Sequence, residues 1–352
     1  MLLEKTVFVL GAGASAEVGM PVSAQLKLAI SELLEDRMSS DGRTSRSAES
    51  HEFRSAVADS LPIFRGQKGL LYSAAFRIST GVSFASSIDN FLKITGDERV
   101  TALAKASIAK VILDCERNSK LWFDPKSYSN HLDPTKIDNT WYQEFAQLFF
   151  EGLTWDDIPK ELEKLVVVSF NYDRCFEHFM RHAMRALYGT SLHEVDEVLR
   201  NLKVIHPYGL VGELDWQLTN PQHPGIEFGG NWQNRLAELS PQIRTFNEAA
   251  DDGILRQVRD EVASVGKLVF LGFAFHPQNV SMFKTKGPSK EKDIYATTRM
   301  ISNVAWDAIK RELLANLGGI NPPNNDPAGL RFFPESLRCA SYLNRNASAL
   351  TR

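Results

Sequence analysis

Four short apolar runs, rich in β-branched residues, stand out along the chain. Thr6–Leu10 reads TVFVL, 165–170 reads LVVVSF, 202–205 reads LKVI and Lys267–Leu271 reads KLVFL. Uninterrupted runs of this length predict strands buried on both faces, as in a parallel sheet covered by helices. Elsewhere apolar residues recur at helical spacing. Leu26, Leu28, Ile30, Leu33 and Leu34 predict an amphipathic helix over 24–37, and Leu103, Ala106, Ile108, Val111, Ile112 and Cys115 predict another over 101–118. Further helices are expected over 141–153 and 301–317, and the whole of 61–153 reads as mainly helical. The stretch 38–60 is rich in serine, glycine and charge, which predicts an exposed loop or a poorly ordered insertion. Past 317 the run GGINPPNN and Pro327 oppose regular structure, so an irregular arm is expected with Phe332, Phe333, Leu337 and Tyr342 as anchors.

The first strand runs straight into Gly11-Ala12-Gly13-Ala14-Ser15 before a helical pattern opens near Ala24. Glycines in such a turn let a backbone approach a diphosphate closely, with helical N–H groups pointing at the anion. The expected architecture is therefore α/β, a Rossmann-like parallel sheet with helices on both faces. An inserted helical module (38–159) would separate two pieces of the nucleotide-binding domain (1–37 and 160–317), and 318–352 would form the irregular tail. The ordinary dehydrogenase fingerprint fits poorly. It wants an acidic residue ending a second strand about 20 residues on, and here Glu32 and Glu35 lie inside a helical pattern.

Other strand tips also carry chemistry. Asn171 and Asp173 follow the second run, where open α/β sheets place ligand-contacting groups, although Asn and Asp there also form turns or cap the next helix. His206 ends the third run, and an imidazole can take a proton from a hydroxyl or water. Gly272, His276 and Asn279 follow the fourth. The pair His178 and His182 lies four apart on a helix and lacks a third metal ligand, which predicts solvated surface.

Composition narrows the functional classes. Forty basic residues against forty-three acidic ones leave a formal charge of −3, so neither nucleic acid nor an acidic membrane surface is an expected partner. The hydrophobic fraction of 43% predicts a folded protein. No apolar run is long enough to span a bilayer, and Met1 to Lys5 enters the first strand too directly for a signal peptide, so a cytoplasmic location is expected. Cys115, Cys175 and Cys339 are too few and too scattered for a disulfide framework or a four-thiolate zinc site, and no metal is expected.

Taken together, GAGAS-x-x-x-G-x-P (Gly11 to Pro21), Asn171-x-Asp173, the strand ending in His206 and the strand ending in Gly272 resemble the sirtuin-like family, in the family's order. The resemblance implies NAD as substrate, bound by Gly11, Ala12, Gly13, Ser15, Asp173, Gly272 and Asn279. It further implies that Asn171 orients the nicotinamide ribose, Asp173 the carboxamide, and that His206 is catalytic. Pro207 and Tyr208 interrupt the family's His-Gly ending. The segment SIDNFL (87–92) resembles one near the pocket of bacterial defence relatives, though Asp89 could equally cap its helix. Without a cysteine zinc ribbon to shape a peptide groove, the resemblance points to an NAD glycohydrolase of antiphage defence rather than a protein deacylase. Such an effector would be a homo-oligomer held in check by assembly or by a partner such as a HerA-type ATPase. A non-catalytic NAD or ADP-ribose sensing subunit of a defence complex and an NAD-dependent protein deacylase are the alternatives.

Overall fold

The computed structural model describes the chain except residues 36, 39–43, 46, 129, 219–224, 250–251, 286–290, 318–328 and 352. Six strands form one sheet: β1 (Thr6–Leu10), β2 (Leu165–Ser169), β3 (Lys203–Ile205), β4 (Lys267–Leu271), β5 (Lys292–Thr297) and β6 (Leu330–Glu335). Their spatial order is β3-β2-β1-β4-β5-β6 and every pairing is parallel. This is the Rossmann strand order 3-2-1-4-5-6, in which the direction of winding reverses between β1 and β4. The three central strands are buried at every residue, which is why they read as unbroken apolar runs.

The helices used below are α1 (Ser23–Leu34), α2 (Ala48–Ser60), α3 (Lys68–Gly81), α4 (Ile88–Thr95), α5 (Glu98–Arg117), α6 (Trp141–Phe150), α7 (Cys175–Tyr188), α8 (Asp252–Ser264), α9 (Asn303–Leu317) and α10 (Cys339–Leu350). Between β1 and β2 the chain makes α1 to α6, and this helical stretch is tied to the sheet rather than loosely appended. Phe145 meets Phe8 of β1 edge-on at 5.4 Å, and Trp141 donates through Nε1 to the Ala14 carbonyl at 3.0 Å. Deeper still, the fully buried Arg174 at the tip of β2 pairs with the fully buried Glu116 of α5 and donates to the carbonyls of Gly212, Ile226 and Glu227. That guanidinium fixes the residue beside Asp173 against two other segments.

Three expectations are corrected. Within 38–60, residues 48–60 form α2, which buries Phe53 and Val57 on one face, so that part is no exposed loop; residues 39–43 and 46 lie outside the described residues. The arm beyond 317 is not irregular where it is described. Leu330–Glu335 adds β6 to the sheet edge, and α10 packs on α6. Pro334 is tolerated because an edge strand leaves one side of its backbone unpaired. The turn-forming run 318–325 and Pro327 fall outside the described residues. His178 and His182 are buried, not solvated, since their face of α7 turns toward Phe123 and Phe228. Among the described residues no helix is long and apolar enough to cross a membrane.

Candidate functional site

The tips of β1, β2 and β4 converge where the winding reverses, the position at which open α/β sheets bind ligands. After β1, Gly11 N–H donates to Leu271 O and Gly13 N–H to Gly272 O, both at 3.0 Å, so the glycine turn lies flat against the end of β4. Only glycines allow this approach. A Cβ on Gly11 would stand 2.5 Å from Gly272 O, and one on Gly272, whose φ is +58°, would stand 2.1 Å from Ala14 N.

The turn is clamped from the β2 side as well. Asn171 donates through Nδ2 to Gly11 O at 3.1 Å and to Ser15 Oγ at 3.0 Å, and Ser15 Oγ donates to Asp173 Oδ1 at 3.1 Å. The same Asp173 oxygen accepts from Cys175 N–H at the start of α7, so this aspartate also makes the turn that the sequence left open, while the N-cap position of α7 falls to Arg174. With both amide hydrogens engaged, the Asn171 side chain keeps its Oδ1 for a ligand.

Two cavities flank the turn. The smaller, of about 130 Å³, is walled by Gly11, Asn171, Asp173, Asp89, Tyr208 and Asn279 among others. The larger, of about 680 Å³, has Gly13, Gly272, Arg299 and Arg338 in its wall. Ala12, Ser23, Phe273 and Ala274 belong to both, so the cavities adjoin across the turn. Ser15 lies behind the wall and Asn279 accepts from Tyr208 Oη at 2.6 Å. His276 lines the smaller cavity.

His206 stands next to Asn171 but outside that wall. Its Nδ1 is 3.1 Å from Asn171 O and its Nε2 is 2.8 Å from Glu177 Oε1. A carbonyl only accepts, so Nδ1 must carry a proton, and the Nε2 proton is shared with Glu177. Burial works to lower the His206 pKa, but Glu177 and the Asn171 carbonyl outweigh it and the net shift is upward. No ring nitrogen is left to take a proton from a ligand in this arrangement. Its visible role is to hold the β2 tip.

Two carboxyl groups of the smaller cavity have raised pKa values. Burial lifts Asp89 to about 6, with Tyr172 O–H pulling the other way across 3.1 Å. Burial also lifts Asp173 to about 6; the bonds from Cys175 and Ser15 lower it and the Glu116 carboxylate raises it. Asp89 does not cap α4, since Ser87 does so by accepting from Asn90 N–H; Asp89 is freed to face the tip of β2. Arg299 and Arg338 escaped the sequence reading because they follow β5 and β6, strands whose polar residues broke the apolar signal.

A raised carboxyl pKa favours folding below the unfolded value, near 4, and that contribution is lost as pH rises through about 6. Replacing Asp89 by Asn should therefore stabilise the fold at pH 7.5, by up to about 3 kcal/mol, with no gain at pH 4. Urea unfolding at both pH values checks this; an equal change at both would show that the carboxyl is not strained by burial.

No protein-family profile matches the chain, and no curated protein does either. Among solved structures, the chain is similar to a mutated Sir2 homologue in complex with 2′-O-acetyl ADP ribose. The identity is 12%, the match covers 99% of this chain and 92% of that one, and the TM-score is 0.35.

Proposed function

We propose that this protein binds NAD across the glycine turn and hydrolyses its nicotinamide–ribose bond. The observation that carries the reading is the pairing, at the switch point of the sheet, of a glycine turn that lines both cavities with the buried Asp173 and half-buried Asp89 carboxyls beside Asn171. In this reading the diphosphate lies along Gly11 to Gly13. The adenosine half occupies the larger cavity near Arg299, and the nicotinamide ribose enters the smaller one. Taken together, the cavities of about 130 and 680 Å³ fall in the range of ordinary ligand pockets, roughly 300–1,000 Å³.

Water attacks the anomeric carbon, the C–N bond breaks, and its electron pair neutralises the pyridinium nitrogen of the departing nicotinamide. Charge on the sugar rises as the bond opens, and the carboxylates of Asp89 and Asp173 offset it. Asn171 Oδ1 positions the ribose or the water, and an aspartate takes the released proton. Glu177 and His206 act as positioning residues. The sequence resemblance supports the wider setting: an NAD-depleting effector of antiphage defence, cytoplasmic, oligomeric, and restrained by assembly or by a sensor partner such as a HerA-type ATPase.

One observation favours a second reading. Because both ring nitrogens of His206 are engaged, the pocket would also suit a sensor that holds NAD or ADP-ribose without turnover. Incubating the purified protein with NAD, alone and with any partner, and measuring free nicotinamide separates the two. Release that depends on Asn171 supports hydrolysis, binding without release supports the sensor, and release only with an acyl-lysine peptide would make the protein a deacylase. Undiminished release by Asn171→Ala would overturn the site assignment.

A further inference from the structure

The charges around the larger cavity at the glycine turn are unequally matched. Among the described residues of its wall, Glu17, Arg299 and Arg338 are the charged ones. Glu17 is only 8% exposed, and both its oxygens are engaged. Its Oε2 accepts from Trp141 N–H at 2.7 Å, while Oε1 accepts from Ala340 N–H at 3.3 Å and has Arg338 Nε 3.6 Å away. Arg299 is exposed and has no hydrogen bond or ion pair among the described residues.

The backbone fixes where that free guanidinium starts. Ile301 N–H donates to Thr298 O at 2.9 Å, which closes a tight turn with Arg299 at its first corner and Met300 at its second. Met300 has a φ of +70°, a left-handed conformation that side chains other than glycine's seldom adopt, and at 95% exposure its own packing does not hold it there. Thr298 N–H donates to Glu335 O at 2.9 Å, which ties the turn to the tip of β6, just before Arg338. The two arginines thus stand on linked strand tips over one cavity.

Dinucleotide-binding sheets discriminate at the 2′-oxygen of the adenosine ribose. A carboxylate there accepts from a 2′-hydroxyl and repels a 2′-phosphate, whereas an arginine accommodates the phosphate. In this wall the carboxylate is already engaged and a guanidinium is free. We propose that the larger cavity prefers a 2′-phosphorylated dinucleotide, with Arg299 holding the 2′-phosphate and Arg338 adding to the positive field, so that NADP is bound ahead of NAD. The inference rests on the reading that the adenosine half lies beside Arg299. A phosphomonoester carries a charge of about −2 at pH 7, and its oxygens match the paired donors of a guanidinium.

The test is calorimetric titration of the full chain with ADP-ribose and with 2′-phospho-ADP-ribose, which differ by that phosphate alone and carry no nicotinamide to release. The phosphorylated probe is expected to bind about tenfold more tightly. Arg299→Gln should bring the ratio close to one while changing the affinity for ADP-ribose less than about twofold. Raising the salt from about 50 to about 500 mM should shrink the preference of the unmodified chain. Binding of ADP-ribose as tight as that of its 2′-phosphate would overturn this inference and leave the dinucleotide site standing. A preference that survives Arg299→Gln, in a variant whose thermal melt matches the parent, would overturn it as well. Absence of binding by either probe at millimolar concentration would overturn the NAD reading together with the preference.

Discussion

Asn171→Ala is expected to lower nicotinamide release from NAD by about 100- to 1,000-fold, the scale of losing one positioned polar group at a developing charge. The variant will also lose stability. Asn171 donates to Gly11 O and to Ser15 Oγ; Gly11 O keeps its bond from Ala14 N–H and Ser15 Oγ its bond to Asp173, so truncation costs about 0.5–1.5 kcal/mol for each bond lost. Ser15→Ala is the control that separates these effects. It breaks the bonds to Asn171 and Asp173 but leaves the Asn171 amide oxygen in the cavity wall. A comparable fall in melting temperature with a much smaller fall in rate is expected of Ser15→Ala. Equal losses of rate in the two variants would reduce Asn171 to a brace for the turn.

Gly272→Ala should be among the most disruptive single methyls in the chain. Its φ of +58° is disfavoured for any side chain, and the added carbon would lie 2.1 Å from Ala14 N and 2.3 Å from Gly13 C. These neighbours are backbone and cannot swing aside, so the glycine turn must lift off the end of β4. The expected result is destabilisation of about 3 kcal/mol or more, together with loss of measurable NAD binding. Gly253→Ala supplies the contrast, since nothing stands within 4 Å of the added carbon and the residue lies in α8. It should be neutral or slightly stabilising in urea. Normal NAD binding by a folded Gly272→Ala protein would mean that the turn does not touch the ligand.

What the sequence disclosed follows from burial. β1, β2 and β4 are covered on both faces and so appear as continuous apolar runs, and the glycine turn is marked by its own residues. β5 and β6 lie toward one edge and carry Lys292, Asp293, Arg331 and Pro334, which erase that signal. With them went the two arginines of the larger cavity. α2 was hidden for a related reason, because Ser50 and Arg54 are buried beside Phe53 and Val57 and disguise the apolar face.

Side-chain direction was the harder quantity. The spacing of His178 and His182 places them on one face of a helix without saying which way that face turns. His206 was legible as a strand-tip residue, but its partner Glu177 lies 29 positions earlier on α7, and only the folded arrangement reveals that the imidazole is engaged on both sides. Asp89 shows the converse. Its local sequence suits a helix start, and its distinction comes from burial against Tyr172.

The central claim is that one dinucleotide lies across the glycine turn with its nicotinamide ribose at the tip of β2. A crystal structure of Asn171→Ala soaked with NAD, in which turnover is suppressed, addresses it most directly. The diphosphate should sit against Ala12 and Gly13, the adenosine beside Arg299, and the nicotinamide ribose between residue 171 and Asp89. Density for NAD at any other place, or none while the turn stays as described here, would contradict it.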